Sequence, residues 1–198
     1  MKTALLFSGG MDSACIAYWK RPNLAITIDY GQKPALGEIR AATEICRQLS
    51  IEHRIVRTDL SSLGSGDLAG LPPNQLAPES EWWPYRNQML VTLAAMAAIK
   101  DQAKEIFIGC LKTDGFHADG TRNFVSKLDE LMKLQEGGLR VSAPSIELTA
   151  AELVKKSDIP FDLLAWAHSC HKANEACGYC RGCRKHYETY QELGLEPY

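Results

Sequence analysis

Long apolar runs are missing from this 198-residue chain. None approaches the length of a bilayer span, and Thr3 to Phe7 is too short, before two glycines and an aspartate, to act as a signal peptide. The expectation is a cytoplasmic protein with no membrane partner. Blocks of like charge are missing as well. With a formal net charge of −2 and no basic stretch, the broad positive surface that meets nucleic-acid backbones is not expected, nor is a nucleic-acid partner. Internal repeats and low-complexity tracts are also lacking, which argues against a solenoid or a disordered linker.

What remains is an ordinary globular composition, 45% hydrophobic and 23% charged, long enough for one full core with a small appendix. Strand-like runs stand at Thr3 to Phe7, Leu24 to Asp29, Arg54 to Thr58, Glu105 to Leu111 and Leu139 to Ala143. Helical patterns cover Met11 to Lys20, Ala35 to Ser50, Arg86 to Lys100, Asn123 to Gln135, Ala150 to Ser157 and Cys183 to Leu193. Alternating strand and helix predict an α/β fold with a doubly wound parallel sheet, Rossmann-like, whose ligand lies at the carboxyl ends of the strands. Residues 29–32 and 112–114 follow strand-like runs and are expected to rim one crevice with residues 8–10. The irregular stretch Ser61 to Pro84 reads as a lid, a binding loop or a partner surface.

The sharpest local signal is "FSGGMDS" at residues 7–13. An apolar strand, a double glycine and then a helix with Asp12 and Ser13 in its first turn describe an anion site. The glycines let a phosphate approach the main chain, and the free N–H groups and helix dipole face it. The alternative is a simple helix cap by Asp12 or Ser13. Two common phosphate loops are excluded by what is absent: no lysine follows the glycines as in a Walker A loop, and the third glycine of a dinucleotide fingerprint is missing.

The cysteines are unevenly placed. Of seven, Cys15, Cys46 and Cys110 lie among apolar neighbours and read as core residues, while Cys170, Cys177, Cys180 and Cys183 fall close together. Their spacing, C-x6-C-x2-C-x2-C, suits one tetrahedral zinc ion in a closed structural site. An iron–sulfur cluster is the rival, and His168 or His171 could replace Cys170 as the outlying ligand. The resulting division is a main domain over residues 1–165 and a metal-binding segment with a C-terminal helix over 166–198.

The "SGGMDS" loop resembles that of the PP-loop ATP pyrophosphatases. Together with "DYGQ" at 29–32, "PYRN" at 84–87, "FIGCLKTD" at 107–114, "APSIELTAAELV" at 143–154 and "CGYCRGC" at 177–183, it makes the chain similar to the 7-cyano-7-deazaguanine synthase (QueC) family over nearly its whole length. The resemblance implies an ATP-dependent C–N ligase that adenylates the carboxylate of 7-carboxy-7-deazaguanine and couples it to ammonia, giving the amide and then the nitrile. It implies ATP, Mg²⁺ and a structural Zn²⁺ as cofactors. It places Phe7, Ser8, Gly9, Gly10, Met11, Asp12, Ser13 and Asp29 at the ATP. Arg86, Asn87, Asp114, His117, Asp119 and Arg122 fall at the substrate, with Asp12, Ser13, Arg86 and Lys112 as catalytic residues. An acceptor such as Asp114 or Asp119 would bind the N1–H and amino group of the deazaguanine, and Lys112, Arg86 or Arg122 would meet its negative charge. A homodimer is compatible with the pattern.

The chain also departs from the family. Leu111 stands where asparagine is usual, and His117-Ala118 precede Asp119 in place of tyrosine-proline. "EWWPYRN" is unusually aromatic, and Trp82 and Trp83 suit either a partner or packing under a lid. These changes point to a reshaped entrance, with the amide or a protein adduct as end product. QueC-like proteins of antiphage-defence operons, which join the activated deazaguanine to a protein amine, are the alternative reading. A PP-loop tRNA-modifying enzyme is a further one.

Overall fold

The structure is a computed structural model that describes residues 1–196. In chain order its elements are β1 (Thr3–Leu6), α1 (Met11–Lys20), β2 (Leu24–Asp29), α2 (Ala35–Leu49), β3 (Glu52–Arg57), α3 (Gly66–Ala69), α4 (Arg86–Ala98), β4 (Glu105–Phe107), α5 (Arg122–Lys133), β5 (Arg140–Ser142), α6 (Ala150–Ser157), α7 (Phe161–Leu164) and α8 (Arg181–Glu192). The strands form one sheet in the order β3-β2-β1-β4-β5 with every pairing parallel. From β1 the chain builds outward through β2 to β3 and then crosses back to β4 on the other side of β1, so a crevice opens between the carboxyl ends of β1 and β4. The phosphate-loop sequence follows β1, and residues 109–114 follow β4.

The period of two along the strands splits the core in half. Leu5 and Phe7 face a layer made by Ile16 of α1, Ile45 of α2, Leu153 of α6, Leu164 of α7 and Tyr190 of α8. Ala4, Ile26 and Ile106 face the other layer, where Val91 and Ala94 of α4 and Leu128 and Met132 of α5 pack. Both faces are therefore dry, as a parallel sheet requires. Cys15, Cys46 and Cys110 are buried. The loop at residues 61–84 folds a 3-10 turn and α3 against this second layer. Trp83 is 3% exposed and meets the Tyr30 ring edge-on at 4.9 Å, so it packs under the loop; Trp82 is half-buried.

Boundaries moved where a hydrogen bond ends an element earlier than the apolar pattern does. The β4 pattern runs to Leu111, yet the strand stops at Phe107; Ile108 N–H still reaches Ser142 O (2.9 Å), and then the chain leaves the sheet. Asp114 Oδ2 accepts from Leu111 N–H (2.9 Å), closing a 3-10 turn that sends Leu111 into the core at 1% exposed. Helix α4 ends at Ala98 and continues as a 3-10 turn over Ile99–Asp101. Helix α8 starts before Cys183 because the Cys180 sulfur accepts from Cys183 N–H (3.4 Å), a thiol serving as cap.

The C-terminal segment does not sit apart from the main core. Tyr190 is 1% exposed and stacks on His186 with ring centroids 4.2 Å apart, while its hydroxyl has no hydrogen-bond partner among the described residues. Two opposite outcomes follow in denaturant titrations. Tyr190→Ala should cost about 3–5 kcal/mol through the cavity it leaves. Tyr190→Phe should be neutral or stabilising by about 1 kcal/mol, because it removes a buried hydroxyl that nothing satisfies.

Candidate active site

The loop after β1 is built to receive an anion. Gly9 has φ +74°, and a Cβ there would lie 2.7 Å from Glu38 O and 2.8 Å from Ala42 N, so only glycine lets the turn press against α2. Gly10, expected to share that freedom, is extended at φ −75° and lines the crevice instead. Ser13 Oγ donates to Gly10 O (2.9 Å), bracing the turn from inside. Among the described residues no side chain caps α1, so its first-turn N–H groups and dipole are left for a ligand at the crevice.

A fixed cation faces this loop. Lys185 of α8 places Nζ 2.7 Å from Asp12 Oδ2 and 3.9 Å from Asp114 Oδ1. Burial works against its charge, but the two carboxylates outweigh it and hold the ammonium above the usual lysine range. Asp12 Oδ1 has no partner among the described residues. Across the crevice, burial raises the Glu38 carboxyl to about 7 despite the hydrogen bond from Gln32 (2.8 Å) and the nearby Arg86 guanidinium. Glu81 behaves oppositely: burial is overcome by hydrogen bonds from His117, its own backbone and Arg181, which lower it to about 2. Arg181 in turn lies 3.8 Å over the Phe116 ring.

Behind these groups, the sulfurs of Cys170, Cys177, Cys180 and Cys183 all lie within 4.8 Å of one another. Four thiolates around one zinc at ~2.3 Å would stand about 3.8 Å apart. The Cys177–Cys183 and Cys170–Cys180 pairs are 4.0 Å apart, so the donor set fits a single ion. N–H groups of His171, Lys172, Cys180 and Cys183 point at these sulfurs at 3.3–3.4 Å. Cys170 belongs to the set; His168 instead hydrogen-bonds Ala173 O through Nε2 (3.1 Å). The backbone N–H of His168 donates to Gly9 O (2.9 Å), tying this segment to the phosphate loop.

Phe7, Ser8, Gly10, Met11, Asp12, Ser13, Arg86, Asn87, Asp114 and His117 border one cavity of ≈ 300 Å³. The other expected site residues lie outside its lining. Gly9 backs the loop against α2. Asp29 accepts from Gly31 N–H (3.2 Å). Lys112 is exposed on its turn, and Arg122 pairs with Glu147 on the surface. Asp119 accepts from Asn87 N–H (3.3 Å) and so anchors the start of α4. That start is strained: Tyr85, 78% exposed, has φ +55°. Sequence reasoning did not find Glu38, Glu81, Arg181 and Lys185, all of which border the cavity. Arg181 and Lys185 flank Cys183, a proximity to the metal ligands that could have flagged them.

A family profile described as queuosine biosynthesis protein QueC matches residues 2–194. The chain belongs to the QueC family. Among curated relatives named 7-cyano-7-deazaguanine synthase, the protein of Stutzerimonas stutzeri is 30% identical over 98% of this chain and 95% of its own length. That of Chlorobium phaeobacteroides is 29% identical over 99% and 95%, and that of Campylobacter jejuni subsp. jejuni serotype O:6 is 27% identical over 98% and 96%. Among solved structures, the U34-tRNA thiolase NcsA from Methanococcus maripaludis, with its 4Fe-4S cluster, aligns with TM-score 0.55 at 18% identity. It covers 97% of this chain and 66% of that one, a likeness of fold. Among the described residues no helix is long and apolar enough to cross a membrane.

In this QueC chain the cysteine segment carries cavity residues on its own helix, so losing one of its thiols should loosen more than the tail. Cys180→Ser is expected to speed amide hydrogen exchange both in residues 168–186 and in the phosphate loop at 8–13, measured by mass spectrometry. Faster exchange confined to the tail would show that loop and metal segment are independent.

Proposed function

We propose that this protein activates the carboxylate of 7-carboxy-7-deazaguanine with ATP and couples it to ammonia, passing through the amide to the nitrile named in its relatives. The observation that carries the reading is the uncapped glycine loop at the switch point of the sheet, faced by Lys185, in a chain of the QueC family. A carboxylate is a poor electrophile. Attack of its oxygen on the α-phosphorus of ATP breaks the α–β bridge, releases pyrophosphate and leaves AMP on the oxygen. Ammonia then adds to the acyl carbon, AMP departs with that oxygen, and a proton is lost. A second adenylation, on the amide oxygen, lets AMP leave again as the second N–H proton is lost and the nitrile forms.

The chain's own groups fit these demands. N–H groups of residues 10–13 would receive the departing pyrophosphate, and Lys185 would meet charge growing on the bridging oxygen. Mg²⁺ arriving with ATP would be held from the protein side by Asp12 and would supply further neutralisation at the phosphates. Arg86, which lines the cavity beside Tyr30 and Glu38, would meet the substrate carboxylate. The four thiolates would hold one zinc ion with a structural role. A cubane cluster would place each thiolate on a different iron and spread the sulfurs wider than a shared ion does. Of the departures that argued for a different product, Leu111 faces the core and not the cavity, whereas His117 does border it.

Three results are expected. With substrate carboxylate labelled by ¹⁸O, each AMP released should carry one labelled oxygen, and mass spectrometry should find the nitrile; unlabelled AMP would contradict adenylation, and an amide or protein adduct as sole product would contradict the end point. Asp12→Ala should lower substrate-dependent AMP release at least about 100-fold in protein that still folds, since it removes contacts to the phosphates and their metal, and it should also lower the melting temperature, since it strips Lys185 of its partly buried partner. Purified protein should be colourless with one zinc per chain by elemental analysis; stoichiometric iron with visible absorption would favour the cluster.

A further inference from the structure

Four carboxylates border the cavity, and their partners separate them. Asp12 is engaged by Lys185 at the phosphate end. Asp114 spends one oxygen on Leu111 N–H, and its other lies 3.9 Å from Lys185. Glu38 accepts from Gln32 and stands half-buried in the opposite wall. Glu81 shares a buried unpartnered oxygen with Asp12, but its other oxygen is held by Arg181 and His117 and not by Lys185. It is 3% exposed; its Oε1 takes both Arg181 and His117 (3.3 Å for the latter), while Oε2 has no partner among the described residues.

A buried carboxylate oxygen without a donor is costly, and a site retains one where a ligand supplies the donor. The neighbouring group carries the same signature. When His117 donates through Nε2 to Glu81, its Nδ1 is left as an acceptor, and that atom too is buried without a partner. Both residues line the cavity, so the two unpartnered atoms they bring to this wall are acceptors, the complement of a heterocycle edge rich in N–H. Arg181, fixed between Glu81 and the Phe116 ring, holds the carboxylate charged and oriented.

We propose that Glu81, positioned by Arg181 and His117, is a specificity-determining residue that accepts a hydrogen bond from the 2-amino edge of the deazaguanine. This assignment rests on the functional reading above and replaces the expected Asp114 or Asp119. Asp114 is engaged with Leu111 and Lys185, and Asp119 lies outside the lining with an oxygen on Asn87 N–H. Its chemistry is that of sites built around a hydrogen bond to substrate, which reject the analogue lacking the donor far more strongly than apolar pockets reject a missing methylene.

The test compares AMP release with 7-carboxy-7-deazaguanine and with its analogue lacking the 2-amino group, for the full chain and for Glu81→Gln. The unaltered protein should prefer the amino compound by at least about 100-fold in kcat/KM. Glu81→Gln should raise the KM for that compound at least about 30-fold, leave the KM for ATP unchanged and shrink the preference below about 5-fold. Glu81→Asp, which keeps the charge beside Arg181, is read in the same way if Glu81→Gln does not fold. Equal use of both compounds by the unaltered protein, or full preference retained in a folded Glu81 variant, would overturn the assignment. If the unaltered protein releases no AMP with either compound, the functional reading fails and this assignment falls with it.

Discussion

The ion pair between Lys185 and Asp12 is the contact on which the rest of the site depends. It joins the first turn of the first helix to the last helix across 173 positions of sequence, at 2.7 Å in a partly buried setting. Partial desolvation makes such a pair stronger than a surface bridge and makes removal of either partner costly. The hydrogen bond from His168 to Gly9 and the burial of Tyr190 in the main core act in the same direction. The phosphate loop and the cysteine segment are thereby one structure, although the sequence places them at opposite ends.

This coupling gives the four-cysteine cluster a role beyond anchoring a tail. Cys180 and Cys183 fix the first turn of α8, and Arg181 in that turn and Lys185 in the next line the cavity. Arg181 holds Glu81 of the long loop, and Lys172 makes a second tie to that loop through Asp67 at 3.2 Å. One four-cysteine cluster thus sets the cation that faces the glycine loop and, through an ion pair, the carboxylate at the far wall. Rigid support of this kind is what positions catalytic groups to within fractions of an ångström.

Local patterns carried much of this in the sequence. The glycine loop, the strand and helix alternation and the cysteine spacing each depend on residues a few positions apart, so they could be read directly and the structure shows them. Groups whose meaning depends on distant partners could not be read. Glu81 and Arg181 are 100 positions apart, and nothing near either one marks it as half of a buried pair. Lys112 and Arg122 are the opposite case: basic residues near a motif suggest contact with an anion, while in this structure Lys112 is exposed on a 3-10 turn and Arg122 pairs with Glu147. The shortened β4 has the same origin, since an apolar run does not reveal that Leu111 leaves the sheet to enter the core from another side.

A crystal structure with α,β-methylene-ATP, whose α–β bridge cannot be cleaved, tests the central claim most directly. The account predicts the β- and γ-phosphates against the main chain of residues 8–13, with α8 in place and Lys185 Nζ within hydrogen-bond distance of a phosphate oxygen. A nucleotide bound elsewhere in the fold, or bound at the loop with α8 displaced and Lys185 turned to solvent, would contradict it.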